Sequence, residues 1–96
     1  MFIISLEYKK PLAEVDSLLP AHIEYLKAQY KAGNFLLSGR KNPRTGGIIL
    51  SNVKTKDDLE QIIRQDPFIK NQVADYDIIE FDPSMTCKEL EFLKNK

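Results

Sequence analysis

Apolar residues fall in short blocks along this chain, and their spacing switches between the strand period of two and the helical period of three and four. "FIISLEY" (Phe2–Tyr8) is rich in β-branched and aromatic residues and predicts a first strand. "KKPL" breaks it, and Leu12–Leu19 predicts one or two loose helical turns. Pro20 suits the first position of a helix better than its interior, so the main helix is expected from Pro20 to Ala32. Ile23, Leu26 and Tyr30 recur at helical spacing, and Gly33-Asn34 ends the run as a left-handed cap would.

"FLLSGR" (Phe35–Arg40) predicts the second strand and Gly47–Val53 the third, joined by the polar, basic loop Lys41–Gly46. Thr55–Gln65 predicts a second helix, with Thr55 as N-cap and Asp57 and Asp58 at its positive end. Pro67 breaks that helix, and Asp66 before it is pushed out of helical geometry. Val73–Asp82 contains the fourth strand. The order β-α-β-β-α-β predicts an α+β, ferredoxin-like sandwich, with two antiparallel helices on one face of an antiparallel sheet. The whole chain reads as one domain, with a core over about residues 1–83 and a tail or short helix over 84–96.

Two helices cover one sheet face, yet the strands are apolar on both. Phe2, Ile4 and Leu6 share one face of the first strand and Ile3 takes the other; Phe35 and Leu37 oppose Leu36; Ile48 and Leu50 oppose Ile49; Ile79 and Phe81 oppose Ile78. The second face is then a sizeable apolar patch. A two-fold homodimer packed sheet against sheet would bury it. Alternatively, the C-terminal segment with Leu90, Phe92 and Leu93 folds over it.

Composition narrows the function classes. With 96 residues the chain folds without staples but with little surplus core. Lys plus Arg number 14 and Asp plus Glu number 14, which argues against a nucleic-acid partner. No apolar run reaches the roughly 20 residues of a membrane helix, so no membrane partner is expected. The apolar-then-charged N-terminus has the reverse order of a signal peptide, and Cys87 has no second cysteine to pair with; both point to the cytoplasm.

His22 is the only histidine. It is either a packed residue or half of a catalytic pair. With the two helices antiparallel, the end of helix two should lie near the start of helix one, bringing Asp66 within reach of His22. Asp66 alone also reads as a turn former. Paired, the carboxylate would orient the ring and favour the imidazolium, while the nearby helix N-terminus would oppose it. Such a pair suits proton transfer. Arg40, Lys41 and Arg44 read either as a solvated loop tip or as a grip for an anionic or carbonyl-bearing substrate. Gly39, after Ser38, either admits a ligand close to the backbone or marks a bulge. Tyr8 and Tyr25 read as packing, Cys87 as inert, and His22 with Glu24 does not make a converging metal site.

"LLPAHIEYLKAQYKAGNFLLSG" followed by "DPF" before the last strand resembles the YciI-like family over roughly residues 1–83. The resemblance implies a dimeric α/β barrel, two ferredoxin-like units packed through their sheets. It also implies a histidine–aspartate active site, which falls on His22 and Asp66. Related barrels include isomerases, dehalogenating lyases and monooxygenases acting on small cyclic or phenolic compounds. The tail "SMTCKELEFLKNK" and the loop "RKNPRTGG" depart from the family pattern.

The expectation is a small isomerase or lyase without redox cofactor or essential metal. His22 and Asp66 carry the chemistry, and Ser38, Gly39 and Arg40 line the pocket for a small polar organic molecule. The competing reading is a non-catalytic, dimeric small-ligand-binding or accessory domain.

Overall fold

The computed structural model describes residues 1–94, so the last two residues of the expected tail lie outside the described ones. The elements are β1 (Phe2–Tyr8), α1 (Leu12–Lys31), β2 (Phe35–Arg40), β3 (Gly46–Ser51), α2 (Lys56–Ile63), α3 (Pro67–Lys70), β4 (Ala74–Glu80) and a 3₁₀ turn over Lys88–Leu93. The four strands form one antiparallel sheet in the order β2-β3-β1-β4. This is the α+β, ferredoxin-like arrangement.

Helix α1 starts at Leu12, not at Pro20, and the expected loose turns are continuous with it. Pro20 sits in its interior, where it removes the hydrogen bond that the Asp16 carbonyl would accept. Both residues face solvent, so water takes the place of the missing donor. The inward stripe runs through Val15, Leu18, Leu19, His22, Tyr25 and Leu26. Ile23 and Tyr30, expected on that stripe, lie at its margins at 41% and 38% exposure. Gly33 at φ 81° closes the helix: its N–H donates to the Tyr30 carbonyl and the Asn34 N–H to the Gln29 carbonyl.

The Thr55 hydroxyl caps α2 by accepting from the Asp58 N–H. The helix stops at Ile63, short of the expected Gln65. Pro67 then begins a second, four-residue helix, with Asp66 as its N-cap. Gln72 at φ 58° ends α3, with the Gln72 N–H on the Ile69 carbonyl and the Val73 N–H on the Phe68 carbonyl. Both ends of α3 are therefore pinned.

The core lies between the sheet and the helices. Phe2, Ile4, Leu6, Phe35, Ile49, Leu59 and Ile63 form its main cluster, and Val15, Phe68, Val73 and Ala74 a second one under α3. The face pairing expected for β2 is corrected by a register shift between Phe35 and Leu37. Phe35 stays in the core, but Leu37 pairs with Leu50 on the opposite face and is 53% exposed. Leu37, Leu50, Ile3 and Ile79 thereby form one cross-strand row on the outer face. The ends of this row stay open, Ile79 at 52% exposure, while Ile3 and Leu50 at its centre are half-buried; Met85, Leu90 and Phe92 of the C-terminal segment are themselves exposed. Among the described residues no helix is long and apolar enough to cross a membrane.

Candidate active site

His22 stands midway along α1 and is buried, at 8% exposure. The position expected for it, in the first turn beside a helix N-terminus, is therefore corrected. Because α1 begins two turns earlier, no helix-end charge opposes an imidazolium there. The pairing with Asp66 nevertheless forms, since the short α2 delivers Asp66 to the middle of the longer α1. His22 Nδ1 and Asp66 Oδ1 are 2.8 Å apart, and Asp66 is 1% exposed.

The same Oδ1 accepts the Phe68 N–H at 2.9 Å. One oxygen thus starts α3 and fixes the imidazole. An acceptor at Oδ1 places the ring proton on Nδ1 and leaves Nε2 with a lone pair. Nε2 has no hydrogen-bond partner among the described residues. Phe68 also stacks on the imidazole, with ring centroids 3.9 Å apart and planes 8° from parallel. Tyr25 flanks it at 6.3 Å and donates its hydroxyl proton to the Ile62 carbonyl. Burial, with the Asp66 charge adding to it, pushes the Tyr25 hydroxyl well above its usual range. Tyr25 is therefore a neutral packing residue, as the sequence suggested.

His22 lines a pocket of about 180 Å³ between α1 and the inner sheet face. Ser38, Gly39 and Arg40, the three expected lining residues, all lie on its wall. Strand parity explains the placement of Ser38 and Arg40. Ser38 pairs with Ile49 and Arg40 with Gly47, and both partners belong to the inward-facing register of Ile4 and Leu6. Ser38 Oγ shares a hydrogen bond with the Tyr30 hydroxyl of α1. The bulge near this strand falls before Leu37, not at Gly39, and a side chain added at Gly39 would meet open space.

The basic loop divides. Lys41 follows Arg40 by one residue, so it turns to the other side and its Nζ pairs with Glu7 at 2.8 Å. Arg44 folds back over the pocket: it pairs with Asp16 on α1, and its guanidinium carbon lies 5.9 Å from the Tyr8 ring centroid. The hydrogen bond from Arg44 holds the Asp16 carboxyl below its ordinary range, and the charge of Arg40 acts in the same direction.

Three contributors were not apparent in the sequence. Phe68 reads there as the residue after an Asp-Pro turn. Gly47 occupies an inward register position between Arg40 and Leu6, and its missing side chain leaves room for the pocket. Tyr30 holds Ser38 from across the groove. A glycine at the start of the predicted third strand was the one available signal. Among the described residues no three His, Cys, Asp or Glu side chains converge as metal ligands.

No curated protein matches the chain in sequence. Among solved structures, the fold is similar to 5-chloro-2-hydroxyhydroquinone dehydrochlorinase (TftG) from Burkholderia phenoliruptrix AC1100, in complex with 2,5-dihydroxybenzoquinone. The TM-score is 0.71 at 16% identity, covering 85% of this chain and 94% of that one. At that identity the likeness is one of fold. The family description "YCII-related domain" matches residues 1–82, and with that span of the chain accounted for, the protein belongs to the YCII-related domain family.

Proposed function

We propose that this protein is a small acid–base enzyme of isomerase or lyase type, acting on a single substituted ring. His22 is the general acid/base and Asp66 its orienter. The observation that carries this reading is a pocket-lining imidazole whose Nδ1 is held at 2.8 Å by a buried carboxylate, with Nε2 left unpaired among the described residues. Pocket size supports a one-ring substrate: a protein cavity of about 150 Å³ admits benzene, and this pocket measures about 180 Å³. The dehydrochlorinase of similar fold is in complex with a one-ring quinone, which agrees with that size.

In such a reaction the Nε2 lone pair takes a proton from a ring hydroxyl or an activated carbon. The electron pair left behind forms a new double bond, and a leaving group departs with its own pair. In an isomerisation the pair shifts along the ring instead, and Nε2 returns the proton at a second carbon. Asp66 favours the transient imidazolium in both cases. Ser38, Gly39 and Arg40 contact the substrate. His22→Gln keeps a planar polar side chain but cannot relay a proton. Assayed on halogenated and hydroxylated hydroquinones, by halide release and ring absorbance, it should lower kcat by about 10²–10⁴-fold with little change in KM. Equal turnover by wild type and variant would sink the proposal.

We further propose that the enzyme is a homodimer joined through the outer sheet face. The support is the apolar row Leu37–Leu50–Ile3–Ile79, exposed at both ends and half-buried at its centre. Sedimentation equilibrium at micromolar concentration should give the mass of two chains. Ile3→Lys, at the centre of the row, should give one chain with unchanged far-ultraviolet circular dichroism. A monomeric wild type would refute the dimer.

A further inference from the structure

The charged side chains on the pocket wall are of one sign. Arg40 and Arg44 line it together with His22, and among the described residues no carboxylate does. Asp66 stands behind His22, with its Oδ1 occupied by the His22 and Phe68 donors. Asp16, the partner of Arg44, lies on α1 outside the lining. Two arginines therefore share one nearby counter-charge, and the third cation of the loop, Lys41, is taken by Glu7 on the opposite face.

Arg44 has a further property. Its Nε is buried without a hydrogen-bond partner among the described residues, and its Nη2 is engaged by Asp16. The guanidinium also carries N–H groups beyond the one given to Asp16, and a charged donor fork on a pocket wall suits an oxyanion. Asp16 and the Tyr8 ring hold the guanidinium in place, so it is fixed before a ligand arrives. Arg40 enters from the inward register of β2, two residues from Ser38, which bonds Tyr30, and opposite Gly47, where no side chain intervenes.

We propose that Arg44, with Arg40, is an anion-recognition pole, and that the ring taken by this pocket is an acid. Its carboxylate or ionised ring oxygen would sit against the two arginines, leaving the rest of the ring toward His22. This deepens the acid–base reading above and rests on its use of the same pocket. It also separates the labour: the arginines select and orient a negative substrate, and His22 moves the proton. A guanidinium favours an oxyanion over a neutral amide of the same shape.

The test is calorimetric titration of the full chain with benzoate and 2,5-dihydroxybenzoate, each against its matching amide. The acids should bind about tenfold or more tightly than the amides. Arg44→Gln should abolish that preference and Arg40→Gln should reduce it. Asp16→Asn frees Arg44 from its counter-charge and should hold or strengthen acid binding. If Arg44→Gln fails to fold, the Arg40→Gln and Asp16→Asn titrations decide the matter. The proposal is overturned if neither acid binds more tightly than its amide. It is also overturned if the acid preference survives Arg44→Gln undiminished, since Arg44 would then be only a clip between loop and helix. His22→Gln separates the two readings. Acid preference that survives in it, beside turnover that ignores His22, removes the proton-relay reading alone; turnover lost with acids and amides bound alike removes this one alone.

Discussion

Asp66→Ala should lower the stability of the fold by about 3–5 kcal/mol, from two buried donors left without an acceptor at about 1–3 kcal/mol each and a lost helix cap at about 1 kcal/mol. The substitution takes away more than a salt-bridge partner. It strips the acceptor from two buried donors at once, His22 Nδ1 at 2.8 Å and the Phe68 N–H at 2.9 Å. It also deletes the cap that starts α3 directly after Pro67. His22 can limit part of the loss by moving its proton to Nε2, which reverses the donor and acceptor ends of the ring. Asp66→Asn is the informative companion. Its side-chain oxygen can still accept both protons, so its stability should fall by only about 1–2 kcal/mol. Its neutral amide, however, no longer favours an imidazolium, so turnover should drop well beyond the stability change. Urea unfolding at neutral pH measures both variants. An Asp66→Ala midpoint matching that of wild type would mean that the pair is not holding α3 in place.

Gly46→Ala should be at least as damaging. A Cβ at Gly46 would stand 1.7 Å from the Leu6 carbonyl oxygen and 2.7 Å from its carbon. Both are backbone atoms of the central strand β1, so no side-chain rotation relieves the contact. The β1–β3 ladder, in which Glu7 pairs with Gly46 and Leu6 with Gly47, would have to part at the end that frames the pocket. Overpacking of ordinary cores costs about 1–3 kcal/mol and occasionally more; here a loss of about 3 kcal/mol or greater is expected. Gly39→Ala on the neighbouring strand is the control, because a Cβ there meets nothing within 4 Å. Removing the glycine's extra backbone freedom should leave that variant unchanged or slightly more stable, by about 0.5–1 kcal/mol. Thermal melts of the two variants side by side check the contrast. Equal melting would show that β1 and β3 can yield to a methyl group at this corner.

The parts of the fold that were legible in the sequence are those fixed by local chemistry. The four strands, the Gly33 cap and the Thr55 cap rest on β-branched runs, a φ only glycine adopts readily, and a hydroxyl before a helix. The His22–Asp66 contact was legible because antiparallel helices on one sheet face leave few places for the end of α2. Its location along α1 was not. Pro20 argued for a helix start, but a proline on the wet side of a helix loses a hydrogen bond that water replaces, and the buried Val15 and Leu18 keep the preceding turns in place. The switch of Leu37 to the outer face was equally hidden, since a bulge alters parity without altering composition. Arg44 and Asp16 meet across 28 residues, a distance at which charge patterning says nothing. Phe68 was invisible for the same reason: only the docking of α3 on α1 reveals what its ring covers.

That ring has a consequence for how the protein can be watched. Phe68 lies 3.9 Å above the imidazole and within 8° of parallel. The aromatic current of one ring therefore shields the protons of the other, so the His22 ring protons resonate upfield of those in a solvated histidine. His22 is the chain's only histidine, so its lines are assigned without labelling schemes. Because α3 carries both Phe68 and the cap that holds it, any loosening of that four-residue helix lets the lines drift back toward the solvated value. The imidazole thus reports in one spectrum on the integrity of the turn that orients it.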